Sequence, residues 1–362
     1  MGQPCYLFCT MRWLLLSAFF LTAVMGASGQ TATGTTQSLP DDPQKLLAAA
    51  EPFYNFNSPE LKPWHLKATY QLYDDKGKPT EQGTYEYWWA SPQVYRRTWS
   101  RPGAMHTDWH TADGKHTYKT SGGALNYLEY KLQAALLSPL PDAEDLDPAK
   151  FRLSRETVKG GLKIPCLMVI PLMPMQGKIQ TIPLGWFPTY CFDVNQPVLI
   201  AEYSLGTVAM AFSHIVRMQN RYLAREIQFN EGKQRILTAK VDAIDGISPA
   251  DAALIPAADA SIVNLEKANV EAEVAAGMLI RRQVPVYPQD AKDAHIAGTV
   301  RLQATIGTDG GVHDLHVLSA PWPSLAASAL WAVSHWQYKP YMVNGQPVEV
   351  HTTIQAIYSL ER

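Results

Sequence analysis

The sequence predicts an α+β protein: an antiparallel half-barrel sheet with a helical plug, followed by a smaller C-terminal domain with the element order β-β-α-β. Aromatic residues make up 10% of the 362-residue chain, and 26 prolines are scattered along it. Both features favour β-sheet over a helical bundle. Segments that alternate apolar and polar residues recur between short turns, whereas helical spacing is found in few places. At about 150 residues per domain, the length predicts two or three domains.

Charge and motifs exclude two classes of function. Lys and Arg together number 31, Asp and Glu 33, and the net charge is -2. A nucleic-acid-binding protein needs a clustered basic face, so we expect no nucleic-acid partner. The chain contains no Gly-x-Ser-x-Gly elbow, no His-Glu-x-x-His helix and no phosphate-binding loop. We therefore expect neither an enzyme nor a cofactor.

An apolar run near the N-terminus predicts export. Arg12 is the only charged residue among the first 40, and Trp13 to Ala27 is an apolar run of 15 residues. This length fits a signal-peptide core, whereas a membrane-spanning helix needs about 20 apolar residues. Because Ala27-Ser28-Gly29 offers small residues for cleavage, residues 1–29 are predicted to be a signal peptide and 30–45 a linker. The alternative is an uncleaved leader that anchors the protein in the inner membrane.

The cysteine count predicts one disulfide. Cys5 and Cys9 lie in the leader, which leaves Cys166 and Cys191 in an exported chain. An oxidising compartment favours their pairing, and closure of the 25-residue loop stabilises the fold by about 3 kcal/mol. A metal-binding or nucleophilic role is the rival interpretation. Cys166 lies in the apolar run Leu162 to Ile170, where a buried thiol is unreactive, so we favour the disulfide.

Residues 46–248 carry the signals of the large antiparallel sheet. Residues 65–73 alternate strictly, with Leu66, Ala68, Tyr70 and Leu72 on one face. This alternation predicts a sheet that is covered on one side. Further strands are predicted at 84–89, 94–99, 106–111, 115–120, 207–217, 222–229 and 235–244, with others starting near Phe151, Leu162 and Val198. One amphipathic helix over residues 125–137 is predicted to lie against the concave face.

Histidines and tryptophans of this segment suggest two kinds of site. His106 and His110 share a strand face, but His116 lies on the next strand. Since no Cys, Asp or Glu completes a tight cluster, we expect no metal site. The tryptophans are interpreted as core residues. They are Trp88, Trp89, Trp99 and Trp109.

The strand order and the local texture, such as Gly83 to Pro92, resemble the periplasmic lipoprotein-carrier (LolA-like) fold over residues 46–248. The resemblance implies a half-barrel whose concave face can hold an apolar ligand. An apolar-ligand or lipoprotein carrier of the periplasm is therefore an alternative function.

An Ala-rich linker is predicted over residues 249–276, which contain ten alanines. Asn264 is placed to cap a helix over residues 265–276, which Gly277 would end. The segment is interpreted as a tether or as a packed connector between two domains.

Residues 277–362 are predicted to form the β-β-α-β domain. Strands at 299–307 and 312–319 flank a Gly-rich turn, apolar residues at helical spacing follow over 325–336, and a final strand spans 347–360. One helix then covers one face of a three-stranded antiparallel sheet.

The motifs of this module resemble the C-terminal domain of the TonB energy-transducer family over its whole length. In order they are Pro285-Val286-Tyr287-Pro288, Gly298-Thr299-Val300, Asp309-Gly310-Gly311-Val312, Trp336-Gln337-Tyr338-Lys339-Pro340 and Gly345-Gln346-Pro347-Val348. The resemblance implies docking of a short periplasmic segment of an outer-membrane TonB-dependent transporter by strand addition to Val348–Tyr358. An edge strand offers unpaired backbone groups for such an addition. The implied partner-binding residues are Gln283, Pro285, Tyr287 and Pro288 upstream, and Val348, Val350, Thr352 and Ile354 on the final strand.

Three features depart from the family's energy transducer. The apolar leader run is short and lacks His, a folded domain stands in place of a long Pro-rich spacer, and Val284 occupies the place where Gln is common. We therefore expect a periplasmic protein with a docking module. The alternative is a membrane-anchored energy transducer that contacts an inner-membrane motor complex.

Overall fold

The computed structural model describes residues 39–122, 125, 127–158, 163–172, 182–204, 208–262, 267–344 and 346–360. The predicted signal peptide, residues 1–29, lies outside these ranges, as does most of the predicted linker 30–45.

A large antiparallel sheet occupies the central part of the chain. Its strands are β1 (Trp64–Tyr73), β2 (Pro79–Ser91), β3 (Val94–Arg101), β4 (Ala104–His110), β5 (His116–Ser121), β6 (Phe151–Val158), β7 (Ile164–Pro171), β8 (Thr189–Phe192), β9 (Leu199–Ser204), β10 (Val208–Met218), β11 (Arg221–Glu231), β12 (Gln234–Gly246) and β13 (Ser261–Ile262). Their spatial order is β13-β5-β4-β3-β2-β1-β12-β11-β10-β9-β8-β7-β6. Two meanders, β1–β5 and β6–β12, thus join where β1 pairs with β12.

The predicted alternation sets the register of this sheet. Leu66, Ala68, Tyr70 and Leu72 of β1 are all buried, and the strands pair antiparallel on both sides of β1. β8 was not predicted, because its four residues are all buried and show no alternation.

Helices α1 (Pro43–Ala50) and α2 (Tyr127–Leu137) pack on one face of the sheet. The half-barrel with a helical plug is therefore confirmed, and α2 is the helix predicted at 125–137. α1 starts inside the predicted linker. Asp42 caps it by accepting a hydrogen bond from the Lys45 N–H at 2.8 Å, and Pro43 occupies its first turn. These are ordinary helix-start signals that the sequence interpretation missed.

Two charged residues tie α2 to opposite halves of the sheet. Glu129 is fully buried, accepts a hydrogen bond from the Tyr70 hydroxyl at 2.5 Å and lies 3.2 Å from Arg101 Nε. On the other side, Lys131 attracts the buried Glu202 of β9. Burial nevertheless raises the pKa of Glu202 to about 7, and the nearby Lys131 only partly offsets this rise.

Cys166 and Cys191 form a disulfide, as predicted. They are register partners on the neighbouring strands β7 and β8, and both are buried. The bond therefore cross-links two adjacent strands.

The second sheet contains the predicted β-β-α-β order. Its strands are β14 (Lys267–Asn269), β16 (Gly298–Ile306), β17 (Val312–Ser319), β19 (Tyr341–Val343) and β20 (Gln346–Tyr358), while β15 (Leu279–Arg281) pairs separately with β18 (Gln337–Tyr338). The helices of this region are α3 (Ala272–Gly277), α4 (Gln289–Asp293) and α5 (Pro323–Ser334). The order across the main sheet is β14-β20-β16-β17, and β19 also pairs with β20.

The linker is a packed connector, and the helix predicted over 265–276 is wrong in its first half. Lys267–Asn269 is a strand paired with β20, and the helix α3 begins only at Ala272. Backbone partners on β20 override the local helical signal. The two sheets also share a core, since Met168, Ile170 and Phe187 belong to the C-terminal cluster around α5.

We expect Glu129→Ala to lower the free energy of unfolding by about 2–3 kcal/mol, because it leaves the buried Tyr70 hydroxyl without its acceptor and removes one of the two carboxylates that contact Arg101. Urea unfolding measures the loss. Glu81→Ala is the matched control, since Glu81 contacts the same Arg101 from an exposed position, 2.9 Å away. It should cost less than about 1 kcal/mol. Equal losses in the two variants would show that α2 does not depend on its buried carboxylate.

Glu202→Gln should stabilise the protein at pH 8 and leave it unchanged at pH 4. The folded-state pKa of Glu202, about 7, lies above the ordinary value of 4.5. Ionisation therefore opposes folding, and the wild type loses stability as the pH rises from about 4.5 to 7. The gain at pH 8 is roughly 3 kcal/mol at most. Thermal unfolding at both pH values tests this, with the exposed Glu144→Gln as control. A gain of the same size at pH 4 would contradict the titration.

Candidate functional site

The final strand β20 runs through the small sheet beside β16. Its register extends from Gly298 opposite Tyr358 to Ile306 opposite Val350. The inward face of β20 belongs to the core. Four predicted partner-binding residues, Val348, Val350, Thr352 and Ile354, have buried side chains, so these side chains are not available to a partner.

The outer edge of β20 can be assigned from one hydrogen bond. The His351 C=O accepts a bond from the Val270 N–H at 3.0 Å, on the side opposite β16. Successive residues of a strand direct their backbone groups to alternate sides. Thr353, Gln355 and Ile357 therefore direct their N–H and C=O groups outward as His351 does. Ile357 is 75% exposed and Gln355 is also exposed.

The edge is open over only part of the predicted docking strand. β14 pairs in parallel with Glu349–His351 and covers the edge there. The expectation of an edge exposed from Val348 to Tyr358 is therefore wrong for these residues. Within the described ranges, no strand pairs with the outer side of residues 353–357. We call Thr353–Ile357 the open edge because no strand pairs with its outer side, although helix α3 also contacts β20.

The predicted upstream residues lie along α5. The Trp336 indole donates to the Gln283 C=O at 2.8 Å, and the Ser328 hydroxyl donates to the Val286 C=O. Val284 and Val286, on either side of Pro285, are 66% and 65% exposed. This segment therefore crosses the outside of α5 and leaves two apolar side chains in solvent.

Tyr287, which precedes Pro288, brings the upstream segment to β20. Its ring lies 5.4 Å from the Tyr358 ring, and its hydroxyl donates to the Ile296 C=O at 2.5 Å. The Tyr358 hydroxyl in turn donates to the Leu325 C=O of α5 at 3.1 Å, and burial raises the pKa of Tyr358 to about 12. Tyr287 of the upstream group thus contacts the C-terminal end of β20 at Tyr358, which is not one of the four predicted strand residues.

The histidines considered for a metal site, His106, His110 and His116, lie on the large sheet. The His110 and His116 rings lie with their centroids 4.0 Å apart and their planes tilted by 41°, while burial lowers the pKa of His106 and of His116. No three His, Cys, Asp or Glu residues within the described ranges are grouped so that they could hold a metal ion.

The sheet face proposed for an apolar ligand is filled by α1, α2 and the aromatic core. A groove of about 780 Å³ between α1 and β6 has both apolar and charged walls.

The segment most important for the edge was missed from sequence. β14 has only three residues, and the sequence around it carries helical signals. No alternation of apolar and polar residues therefore indicates a strand there.

None of the helices in the described part of the chain is long and apolar enough to cross a membrane.

Comparisons with known proteins agree with the C-terminal architecture. Residues 283–360 match the family model of the Gram-negative bacterial TonB protein C-terminal domain. A search of curated proteins finds no match. The solution structure of the Pseudomonas aeruginosa TonB C-terminal domain is 29% identical and covers 23% of this chain and 86% of its own, with a TM-score of 0.21.

Solved structures also match more than half of the chain at low identity. A putative outer membrane lipoprotein-sorting protein domain from Vibrio parahaemolyticus is 8% identical and covers 53% of this chain and 88% of its own, with a TM-score of 0.32. A LolA superfamily protein from Nitrosomonas europaea is 7% identical and covers 57% and 94%, with a TM-score of 0.30.

The motifs, the β-β-α-β order and the family match thus coincide: residues 283–360 form a domain that matches the family model of the Gram-negative bacterial TonB protein C-terminal.

Proposed function

We propose that the protein docks a segment of an outer-membrane transporter by β-strand addition at the open edge Thr353–Ile357. The observation that carries the proposal is this row of outward backbone groups on a TonB-type domain. Strand addition draws affinity from main-chain hydrogen bonds, so the burial of Val350 and Ile354 is compatible with it. The partner is an extended periplasmic peptide.

The surroundings of the edge support an extended peptide as ligand. Ile357 offers an exposed apolar side chain beside the free backbone groups. Tyr287 and the exposed Val286 lie near the end of the strand, where a bound peptide would leave the edge. The upstream segment therefore contributes contacts at one end, and β20 contributes the backbone.

This function implies a periplasmic protein, and we propose the domain division that the sequence predicts. Residues 46–248 form the large β domain, 249–276 connect it, and 277–362 form the docking domain. Because α1 and α2 fill the covered face of the large sheet, we favour docking over an apolar-ligand carrier.

Thr353→Pro should weaken peptide binding at least about fivefold, which corresponds to one backbone hydrogen bond of about 1 kcal/mol. Proline removes the outward N–H of residue 353, and an edge strand tolerates proline when that N–H faces away from its neighbour. Thr353→Ala keeps the N–H and should bind as the wild type does. The measurement is fluorescence anisotropy with synthetic peptides from the plug regions of outer-membrane transporters.

Circular dichroism and thermal unfolding of both variants verify that they fold. The proposal is wrong if proline and alanine bind alike, or if no transporter peptide binds the wild type.

A further inference from the structure

The connector supplies a strand to the edge that the docking site uses. β14 pairs in parallel with β20 in the register Lys267–Glu349, Ala268–Val350 and Asn269–His351. The Val270 N–H extends this pairing to the His351 C=O at 3.0 Å. β14 thus occupies the outward backbone groups of β20 directly beside the open edge.

The connector is fixed to the large sheet on its other side. Ser261–Ile262 pairs with β5 as strand β13, opposite Thr117 and Tyr118. Before it, the buried Leu254 packs in a 3₁₀ turn, and the Trp109 indole donates to the Ala253 C=O at 3.2 Å. β14 is therefore held near β20 at a high local concentration, as a short tether provides.

α3 completes the attachment on the C-terminal side of β14. It begins three residues after the strand ends, and its Ala275 is buried in the C-terminal core beside β20 residues. The strand itself has only three residues and few backbone bonds. A longer peptide that enters at Thr353–Ile357 can exchange these bonds for equivalent ones of its own.

We propose that β14 is a resident strand that masks the Glu349–His351 part of the docking edge, and that a partner peptide binds fully only by displacing it. This inference rests on the proposed function, because it assigns the regulation of the same edge. The peptide first adds to the open residues Thr353–Ile357 and then replaces β14 along Glu349–His351. Displacement frees the connector between its anchors on β5 and in α3.

The expected effect follows from the population of the unmasked edge. When only a fraction of the molecules has β14 released, the apparent dissociation constant equals the intrinsic one divided by that fraction. A strand docked in nine molecules of ten therefore weakens full binding about tenfold.

Two proline variants separate masking from general disruption. The alternation that directs the Val270 N–H toward β20 directs the Ala268 N–H toward β20 as well, and the Asn269 N–H away from it. Ala268→Pro removes a donor in the pairing, whereas Asn269→Pro removes a donor outside it. Asn269→Pro is therefore the matched control.

The first measurement needs no partner. Amide hydrogen exchange at His351, whose N–H lies on the covered edge, should be about tenfold faster in Ala268→Pro than in the wild type or Asn269→Pro. Transporter peptides should bind Ala268→Pro about tenfold more tightly than either. Faster exchange with unchanged peptide affinity, or no change in exchange, overturns the masking role and leaves the docking function in place.

A second probe covers the case in which no transporter peptide binds any variant, which would refute the docking function. A synthetic peptide of residues 267–272 of this chain replaces the lost strand in trans. Binding to Ala268→Pro but not to the wild type supports masking of the edge by β14. Equal binding to both proteins, or binding to neither, overturns it.

Discussion

A β-sheet ends in rows of unpaired backbone groups, and the arrangement of this protein depends on how its connector covers them. β13 pairs with β5 at the end of the large sheet, and β14 pairs with β20 at the end of the small one. Four residues separate these two short strands. The connector thereby fixes which part of each edge is open, and the open part of β20 is where we place the partner.

The connector is attached to the large sheet through β13, and the covered face of that sheet holds α2. α2 is held between its two halves by Glu129, which contacts Tyr70 and Arg101, and by Lys131 near Glu202. Buried charges are costly unless they are paired, so these contacts favour the observed position of the helix on the sheet. The same packing fills the covered face apart from the groove between α1 and β6.

Long elements and the disulfide could be predicted from sequence, whereas short strands could not. The nine residues 65–73 carry enough alternation to fix a face, and once the two cysteines of the predicted leader are set aside, a single pair is left. The sequence did not predict β14, because three residues are too few to show an alternation of apolar and polar side chains. The strand is stabilised by its pairing with Glu349–His351. The predicted extent of the docking edge was wrong for the same reason, since β14 sets where the open part begins. The resemblance located the predicted partner-binding residues Val348–Ile354 on the final strand, and the burial of Val348, Val350, Thr352 and Ile354 shows that these side chains point inward.

The shared core bears on how the C-terminal domain behaves when it is cut from the chain. Met168, Ile170 and Phe187 of the large domain are buried in the cluster around α5. A fragment that starts at residue 277 would lack these side chains together with β14, and it would present fresh apolar surface and a longer free edge at once. Exposed apolar patches and unpaired edges both promote self-association. Dimers or higher assemblies of such a fragment would therefore reflect the excision, and the surface of the intact protein is best studied with both sheets on one chain.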